Sequence, residues 1–412
     1  MKELKEDWQE VRLGDLGEIV TGNTPPTKNT EYFGNDYNFV TPSDYKNLNK
    51  YISHTERGIS KLGENKFKNK MLPPNSIMVT CIGSDMGRIL INKNRVLTNQ
   101  QINSIIVNPD KYFYDFIYYM LVNNSSIIKA SVSGTAVPIL NKSDFSNLEF
   151  KIPNLEKQKK IASILSSLDD KIELNNRMNK ILEETAQTIF KEWFINFNFP
   201  NEEGKPYKKS GGKMIESELG EIPEGWKVDS LSNIANFLNG LAMQKFRNKD
   251  NNFIYVLKIK ELRQGFTDIN SDKARIDIDK NYIVNNGDVI FSWSGTLMTD
   301  IWCGGIAGLN QHLFKVTSNK YEKWFYYFWI KKHLENFILI ARDKTTTMGH
   351  IKREHLDKAL VLIPNIKLLD KANNIFNPII EQIINLRIEN QKLAGIRDSI
   401  LPKLMSGEIR IK

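Results

Sequence analysis

The chain has 412 residues, of which 41% are hydrophobic and 25% charged, a composition typical of globular proteins. At about 150 residues per domain, this length predicts two or three domains. Lysine and arginine outnumber aspartate and glutamate by 57 to 48, and the net charge of +9 favours a polyanionic partner without proving one.

The cysteine content and the hydropathy of the sequence indicate the cellular compartment in which the protein works. The two cysteines, Cys81 and Cys303, exclude a disulfide-based scaffold and a multi-cysteine zinc site, and they fit a reducing environment. No stretch has the roughly 18 consecutive apolar residues of a membrane helix, and the first residues lack the apolar core of a signal peptide. We therefore expect a cytoplasmic protein without membrane contact.

Short motifs of the first half recur in the same order about 210–220 residues later. The recurring pairs are Trp8–Leu13–Gly22 with Trp226–Leu231–Gly240, Asn75–Val79 with Gly287–Phe291, Asn99-Gln100 with Asn310-Gln311, and Ile152–Asn154 with Ile363–Asn365. A preserved order with small drifts in spacing indicates a tandem duplication of a unit slightly longer than about 200 residues.

The first part of each repeat, about 150 residues, alternates strand-like runs with Gly, Pro and Asn turns, which predicts a mixed α/β domain. The predicted strands are Ser76–Ile82, Ile102–Val107, Asp288–Trp293 and Leu313–Thr317. Aromatic-rich stretches follow at Tyr112–Leu121 and Trp324–Ile330. Their spacing predicts helices, for which core packing is favoured over base stacking.

The second part of each repeat carries residues at alternating steps of four and three, the heptad spacing of a coiled-coil helix. The first seam consists of Ile161, Leu165, Leu168, Ile172, Asn175, Asn179, Leu182, Ala186 and Ile189. The second lies 211 residues later and consists of Ala372, Phe376, Ile379, Ile383, Leu386, Asn390, Leu393, Arg397 and Ile400. Because one seam alone would face water, we expect the helices to pair; the alternative is that each packs on its own domain.

The domain between the two helices in sequence favours an antiparallel pair. Asn179 and Asn390 occupy the same seam position, where buried asparagines can fix helix register at a cost in stability. Between the first helix and the second repeat lies Pro200–Gly225, whose Gly, Lys and Glu content predicts a solvated linker.

Motifs of nucleotide-dependent enzymes do not occur in the sequence. Gly204-Lys205-Pro206 and Gly212-Lys213-Met214 lack the hydroxyl residue that ends a phosphate-binding loop. Pro25-Pro26 and Pro73-Pro74 lack the neighbours found in the base-binding motif of amino-methyltransferases. The sequence therefore predicts neither an ATPase nor a methyltransferase.

One nuclease-like pattern remains open. Asp110 with Glu149 and Lys151 matches the spacing of a metal-dependent nuclease, but the second repeat has no counterpart. His350 and His355 are five residues apart rather than four, so they do not share a helix face as zinc ligands do. The sequence thus favours a protein that binds over one that catalyses.

Four segments stand out together: the first domain–helix junction, the end of the first long helix, the entry into the second repeat and the C-terminal tail. They are Ile152-Pro153, Phe190–Pro200, Met214–Trp226 and Leu401–Ile409. Together they resemble the specificity subunit of type I restriction–modification systems, and the resemblance covers the whole chain. One departure is Asn365–Asp370, which lacks the Pro-x-x-Glu-Gln start usual for the second helix.

The resemblance implies an α+β fold. Two mixed α/β target recognition domains would be separated by a long antiparallel two-helix coiled coil, with an internal pseudo-two-fold repeat. The implied boundaries are 1–153 for the first recognition domain, 154–199 for the central helical region, 200–225 for the linker, 226–364 for the second recognition domain, and 365–412 for the C-terminal helical region and tail.

The resemblance also implies a function. Each recognition domain would read one half of a split double-stranded DNA site, with the helices as a ruler between them. Two modification subunits, similar to S-adenosylmethionine-dependent adenine methyltransferases, and restriction subunits with ATPase and nuclease activity would assemble on the chain. The chain itself would be non-catalytic and bind no cofactor or metal; S-adenosylmethionine, ATP and Mg would belong to its partners.

Candidate DNA-binding residues come from polar and basic loops at equivalent places in the two repeats. In the first repeat they are Thr24, Lys28, Ser43, Asp44, Tyr45, Lys46, Ser84, Arg88, Ser133, Gly134 and Thr135. In the second they are Gln244, Lys245, Arg247, Lys258, Lys260, Arg263, Ser294, Thr296, Thr345, Thr346 and Thr347. Arg and Gln can read guanine and adenine edges, whereas Lys and Thr more often hold phosphate.

Three alternatives stay open at this point. The chain could be the specificity subunit of a related bifunctional restriction enzyme, or a self-contained metal-dependent endonuclease that uses Asp110, Glu149 and Lys151. It could also be a coiled-coil scaffold without DNA contact, which the basic charge and the two mixed domains argue against. Cleavage by the purified chain with magnesium would favour the endonuclease.

Overall fold

The structure, a computed structural model, describes residues 8–46, 50–83, 85–130, 139–248, 252–343 and 349–411. The chain folds as two compact units. Unit 1 comprises the residues up to Ile172 together with those from Leu393 onward, and unit 2 comprises Glu173–Lys392. Among the described residues, no helix has both the length and the apolar character needed to cross a membrane.

Unit 1 contains ten strands and four short helices within its described residues. The strands are β1 Trp8–Arg12, β2 Gly17–Thr21, β3 Phe33–Val40, β4 Tyr51–Ile52, β5 Arg57–Ile59, β6 Ile77–Thr80, β7 Ile89–Asn92, β8 Val96–Thr98, β9 Ile102–Val107 and β10 Glu149–Pro153. The helices are α1 Lys61–Lys66, α2 Tyr114–Asn123, α3 Ser125–Ala130 and α4 Lys142–Ser146. A five-stranded sheet has the order β2-β9-β6-β7-β4, a three-stranded sheet has the order β5-β3-β8, and β1 pairs with β10.

The long helices follow, α5 at Leu155–Phe190 and α10 at Ile366–Met405, and each contributes to both units. The remaining strands lie in unit 2 and are β11 Met214–Ser217, β12 Gly220–Pro223, β13 Lys227–Ser230, β14 Asn236–Asn239, β15 Phe253–Leu257, β16 Lys273–Arg275, β17 Ile283–Val284, β18 Val289–Ser292, β19 Met298–Ile301, β20 Ala307–Leu309, β21 Leu313–Thr317 and β22 Leu360–Ile363. Its shorter helices are α6 Leu231–Ile234, α7 Ile259–Gln264, α8 Lys323–Asp343 and α9 Arg353–Asp357.

The sheets confirm the duplication. The order β14-β21-β18-β19 in unit 2 repeats β2-β9-β6-β7 in unit 1, and β16-β15-β20 repeats β5-β3-β8. The parallel pairing of β3 with β8 recurs between β15 and β20. The repeats differ at a sheet edge, because β4 extends the larger sheet of unit 1 beside β7 whereas β17 pairs with β20.

The aromatic helices lie in the cores, as their spacing predicted. In α2, Phe116 and Tyr119 are almost completely buried. In α8, every residue from Trp324 to Ile330 is buried, and the ring of Trp324 stacks on that of Phe376 at 4.3 Å between centroids. These side chains hold the mixed domains together and present no stacking surface to a base.

Both predicted seams are confirmed, since each of their positions is buried or half-buried in α5 and α10. Within unit 2 the two helices run antiparallel. Asn175 donates to Asn390 (2.9 Å), and eight residues later Glu183 pairs with Arg387 (2.7 Å). As α5 advances, its contacts therefore move backward along α10.

Unit 1 contains the start of α5 and the end of α10, which share a core that includes Leu165 and Leu401. Asp169 of α5 pairs there with Arg397 of α10 at 2.6 Å. The expected pairing of the long helices is thus present in each unit.

The segment 200–225 is mostly exposed to solvent, as its composition predicted, but it has regular secondary structure. It contains a short 3₁₀ turn at Lys208–Ser210 and the antiparallel hairpin of β11 and β12. Phe199 stacks on Tyr207 (4.6 Å between ring centroids) and on Trp226 (5.4 Å). This aromatic stack holds the segment against the start of the second repeat, an effect that the Gly- and Lys-rich composition did not indicate.

Candidate nucleic-acid interface

Several loops of unit 1 meet at Asn99, directly after β8. The Asn99 amide donates to the Val40 carbonyl at the end of β3 (3.0 Å), and the Gly22 amide after β2 donates to the Ile102 carbonyl (3.1 Å). A Cβ atom on Gly22 would lie 2.1 Å from the Asn99 carbonyl oxygen, so this close approach requires glycine. The ends of three strands are thereby held together.

Unit 2 repeats this arrangement bond by bond. The Asn310 amide donates to the Leu257 carbonyl (3.2 Å), and the Gly240 amide donates to the Leu313 carbonyl (3.0 Å). A Cβ atom on Gly240 would lie 2.2 Å from the Asn310 carbonyl oxygen. The recurrence of Asn99 and Asn310 in the sequence therefore marks one loop scaffold built twice.

The side chains on the unit 2 scaffold form a polar and aromatic cluster. The indole nitrogen of Trp293 donates to Asn239 (2.9 Å), and the Ser294 hydroxyl lies 2.8 Å from Nδ1 of His312. Nε2 of Gln311 lies 3.3 Å from Nε2 of His312, and the rings of Trp293 and His312 lie 6.0 Å apart. Hydrogen bonds within the cluster hold these side chains in place before any ligand arrives.

The unit 1 scaffold carries different groups. The Thr24 hydroxyl donates to the Gln100 side-chain oxygen, and Nδ2 of Asn99 donates to Oε1 of Gln101 (3.1 Å). Thr24 was a candidate from the sequence, and the structure brings it together with Gln100.

Basic residues lie beside the unit 2 cluster. Lys258 directly follows β15, whose last carbonyl accepts from the Asn310 amide. Lys258 also pairs with Asp272, and the hydrogen bond from Lys258 holds the pKa of the Asp272 carboxyl below its usual value. Arg263 is exposed on α7 and donates to the Thr296 hydroxyl in the loop after β18 at 2.9 Å, so these two candidates meet. Lys260 is exposed on the same short helix as Arg263.

The remaining described basic and polar candidates lie on exposed surface. They are Lys28, Ser43, Lys46, Arg88, Gln244, Lys245 and Arg247. Arg88 pairs with Asp85 at 2.8 Å. Their exposure leaves these side chains accessible to a phosphate backbone.

Three candidates take part in internal contacts. The Asp44 carboxylate accepts from the amide and hydroxyl of Thr41 (2.7 and 2.8 Å), which closes a turn. Tyr45 is only 4% exposed, and burial raises the pKa of its hydroxyl well above the usual value. Ser294 is 5% exposed and is directed at His312. Tyr45 thus packs in the core of unit 1, and Ser294 orients a neighbouring ring.

Some candidates lie outside the described residues. They are Ser84, Ser133, Gly134, Thr135, Thr345, Thr346 and Thr347. Conversely, the polar clusters include Asn239, Trp293, Gln311 and His312, which sequence reasoning did not select. The Asn-Gln pair that recurs at Asn99-Gln100 and Asn310-Gln311 was the sequence signal that could have identified Gln100 and Gln311.

Of the nuclease-like residues, Glu149 and Lys151 lie on β10 and Asp110 lies after β9. Glu149 pairs with Arg12 at 3.1 Å, with both side chains at least half exposed. Across the part of the chain that the structure describes, no group of three or more His, Cys, Asp or Glu side chains is placed to hold a metal ion.

Known proteins share this duplicated architecture. The family model described as "Type I restriction modification DNA specificity domain" matches residues 5–184 and 223–397. The chain belongs to this family. The two matched stretches correspond to the two repeats, so this specificity subunit carries two target recognition domains.

Two curated relatives come from Methanocaldococcus jannaschii. The type I restriction enzyme MjaIX specificity subunit is 31% identical, over 99% of this chain and 95% of the relative. The MjaVIII specificity subunit is 25% identical, over 99% and 94%. Among solved structures, the type I S subunit from M. genitalium superposes with a TM-score of 0.59 at 15% identity over 98% of both chains, which shows that the fold is shared.

Proposed function

We propose that the chain reads a bipartite site in double-stranded DNA, with one half-site for each recognition domain. The observation that carries this proposal is the loop scaffold at Asn99 and Asn310, which has the same backbone hydrogen bonds in both units but different side chains. A duplicated scaffold with divergent side chains suits the recognition of two different sites in one kind of ligand. The net charge of +9 and the basic residues beside the unit 2 scaffold suit DNA as that ligand.

We further propose that the chain is non-catalytic and binds no cofactor of its own. Two modification subunits that use S-adenosylmethionine, and restriction subunits that use ATP and Mg, would assemble on it. The duplication supports two modification subunits, because each surface of a repeated chain occurs twice. Chemistry would then reside in the partners and sequence choice in this chain.

The test is binding of the full-length chain to duplex DNA at increasing salt. Six to ten phosphate contacts would lower the affinity by about 10³–10⁵ between 50 and 200 mM salt, because each contact releases counterions. Arg263→Ala should reduce the slope by about one contact, whereas Lys205→Ala, in the folded 200–225 segment, should leave it unchanged. A salt-independent affinity would contradict the proposal.

The same samples distinguish a self-contained nuclease. With magnesium and no partner, the wild-type chain should bind DNA and leave it intact. Magnesium-dependent cleavage that Glu149→Gln abolishes would overturn the non-catalytic assignment.

A further inference from the structure

We propose that two residues directly after the scaffold asparagine in each unit read bases: Gln100 and Gln101 in unit 1, and Gln311 and His312 in unit 2. This inference rests on the proposed function and deepens it, because it names the side chains that would make the two half-sites different. It adds four positions to the candidates taken from the sequence.

The backbone at these positions is the same in both units. Oδ1 of Asn99 accepts from the Gln101 amide at 3.1 Å, and Oδ1 of Asn310 accepts from the His312 amide at 3.3 Å. One turn therefore presents two consecutive side chains at the same place in each unit. Gln100 is exposed and the other three are half-buried, as expected for side chains that are anchored on one side and accessible on the other.

The hydrogen bonds in unit 2 define what Gln311 can offer. Its amide nitrogen is a donor only, so Nε2 of His312 accepts at 3.3 Å and the ring proton sits on Nδ1, which donates to Ser294 at 2.8 Å. Gln311 retains a second N–H and its carbonyl oxygen. A donor and an acceptor side by side match N7 and the amino group of adenine.

Unit 1 offers a different pattern. The side-chain oxygens of Gln100 and Gln101 already accept from Thr24 and Asn99. Each oxygen keeps one lone pair, and the amide N–H groups have no partner among the described residues, so this unit presents mainly donors. Donors match N7 and O6 of guanine or O4 of thymine, which are acceptors in the major groove. The two units are therefore expected to select different bases through one scaffold.

The surroundings suit a base-reading position. Lys258 directly follows β15, and Arg263 of α7 donates to Thr296 in the same loop as Ser294 of the unit 2 cluster. Basic and hydroxyl side chains commonly hold phosphates and set the register of a protein on the duplex, while amides at the centre read base edges. The rings of Trp293 and His312 lie 6.0 Å apart between centroids, at an interplanar angle of 41°.

The experiment selects preferred sites from a randomised duplex library with the full-length chain. Wild type should yield two half-sites with a fixed spacer. Gln311→Ala should lower the preference for adenine at one position of one half-site by about 10- to 100-fold, with the other half-site unchanged. Gln311→Glu should shift that position toward cytosine, because a carboxylate accepts from the cytosine amino group.

Matched variants complete the design. Gln101→Glu should alter only the other half-site, and Gln187→Ala, an exposed glutamine on α5, should alter neither. The melting temperature should equal that of wild type in all variants, and Gln187→Ala should also keep the wild-type affinity for non-specific DNA. Gln311→Ala changes the size of the side chain and Gln311→Glu changes its charge. If one of these variants fails to fold, the other still tests the role of Gln311.

The outcomes separate this inference from the proposed function. A change confined to one half-site for each unit supports both. If wild type selects two half-sites but the variants at 101 and 311 change neither, or change both together, the assignment of these residues is wrong while the proposed function stands. If wild type selects no sequence, the proposed function fails and this inference fails with it.

Discussion

The buried ion pair between Asp169 and Arg397 shows how single residues join the long helices of unit 1. Asp169 is 5% exposed, pairs with Arg397 at 2.6 Å and accepts from the Tyr119 hydroxyl at 2.5 Å. The two residues that bind the Asp169 carboxylate are Arg397 on α10 and Tyr119 on α2. Asp169, itself on α5, therefore links both long helices to the recognition domain. Removing one member of such a pair leaves an uncompensated buried charge.

We predict that Arg397→Leu lowers the free energy of unfolding by about 3–5 kcal/mol. Adding Asp169→Asn should recover part of that loss, because the unpaired charge is removed. Arg177→Leu, an exposed arginine on α5, should change stability by less than about 0.5 kcal/mol. Urea unfolding at pH 7 measures all three, and equal losses for the two arginines would contradict the role of the pair.

His333 on α8 provides a test by pH. Burial lowers its pKa below the usual value near 6.5, and its Nε2 lies 2.8 Å from the Leu360 carbonyl oxygen. Below pH 6.5 the unfolded chain binds a proton that the folded chain resists, so stability falls as pH falls from 6.5 toward the lowered pKa. The stability difference between wild type and His333→Gln should therefore shrink or reverse between pH 7.5 and 5.5; a constant difference would contradict this reading.

The sequence could predict which loops of each unit carry polar and basic residues, but not the role of each residue. Thr24 and Arg263 were selected from sequence and do lie at the loop clusters. Tyr45 was selected for the same reason, yet it is buried, because a loop position says nothing about which way a side chain points. His312 was missed because its partner Ser294 lies 18 residues away, in the loop after β18.

At the scale of elements, the heptad seams were predictable because periodicity is a local property of the sequence. The partner of each seam residue was not. Sequence spacing equated Asn179 with Asn390, whereas Asn390 contacts Asn175 and Asn176. Repeat position shows which residues are equivalent, and only the antiparallel pairing decides which of them meet.

The polar contact of Asn175 with Asn390 suggests a cost in stability for a fixed register. Asn175 is completely buried, and its amide donates to Asn390 (2.9 Å) and Glu389 (2.7 Å). We predict that replacing both asparagines with leucine raises the melting temperature and broadens the range of half-site spacers that bind. A lower melting temperature would show that these amides stabilise the helices rather than specify their register.

At the scale of the whole molecule, we predict that helix length sets the spacer between the half-sites. We consider two inserted heptads, one after Ile172 in α5 and one after Lys392 in α10. The two insertions lie opposite each other, because Asp169 pairs with Arg397 and Asn175 with Asn390. Seven residues add about 10 Å, equal to about three base pairs.

The lengthened chain should therefore prefer a longer spacer in a library of duplexes with varied spacing, or lose tight binding. Three base pairs also turn the second groove by roughly 100°. A single heptad in α5 alone is the control and should destabilise the pair, since the seams then no longer match. An unchanged spacer in the doubly lengthened chain would show that the helices do not set the distance.

The most direct test of the central claim, that each recognition domain reads its own half-site, is exchange of residues 226–364 for the matching domain of a relative with another specificity. Methylated adenines are then mapped across the genome of cells that carry the original or the exchanged chain with the same partner subunits. We predict that one half of the methylated sequence changes while the other half and the spacer stay the same. A change in both halves, or in neither, would contradict it.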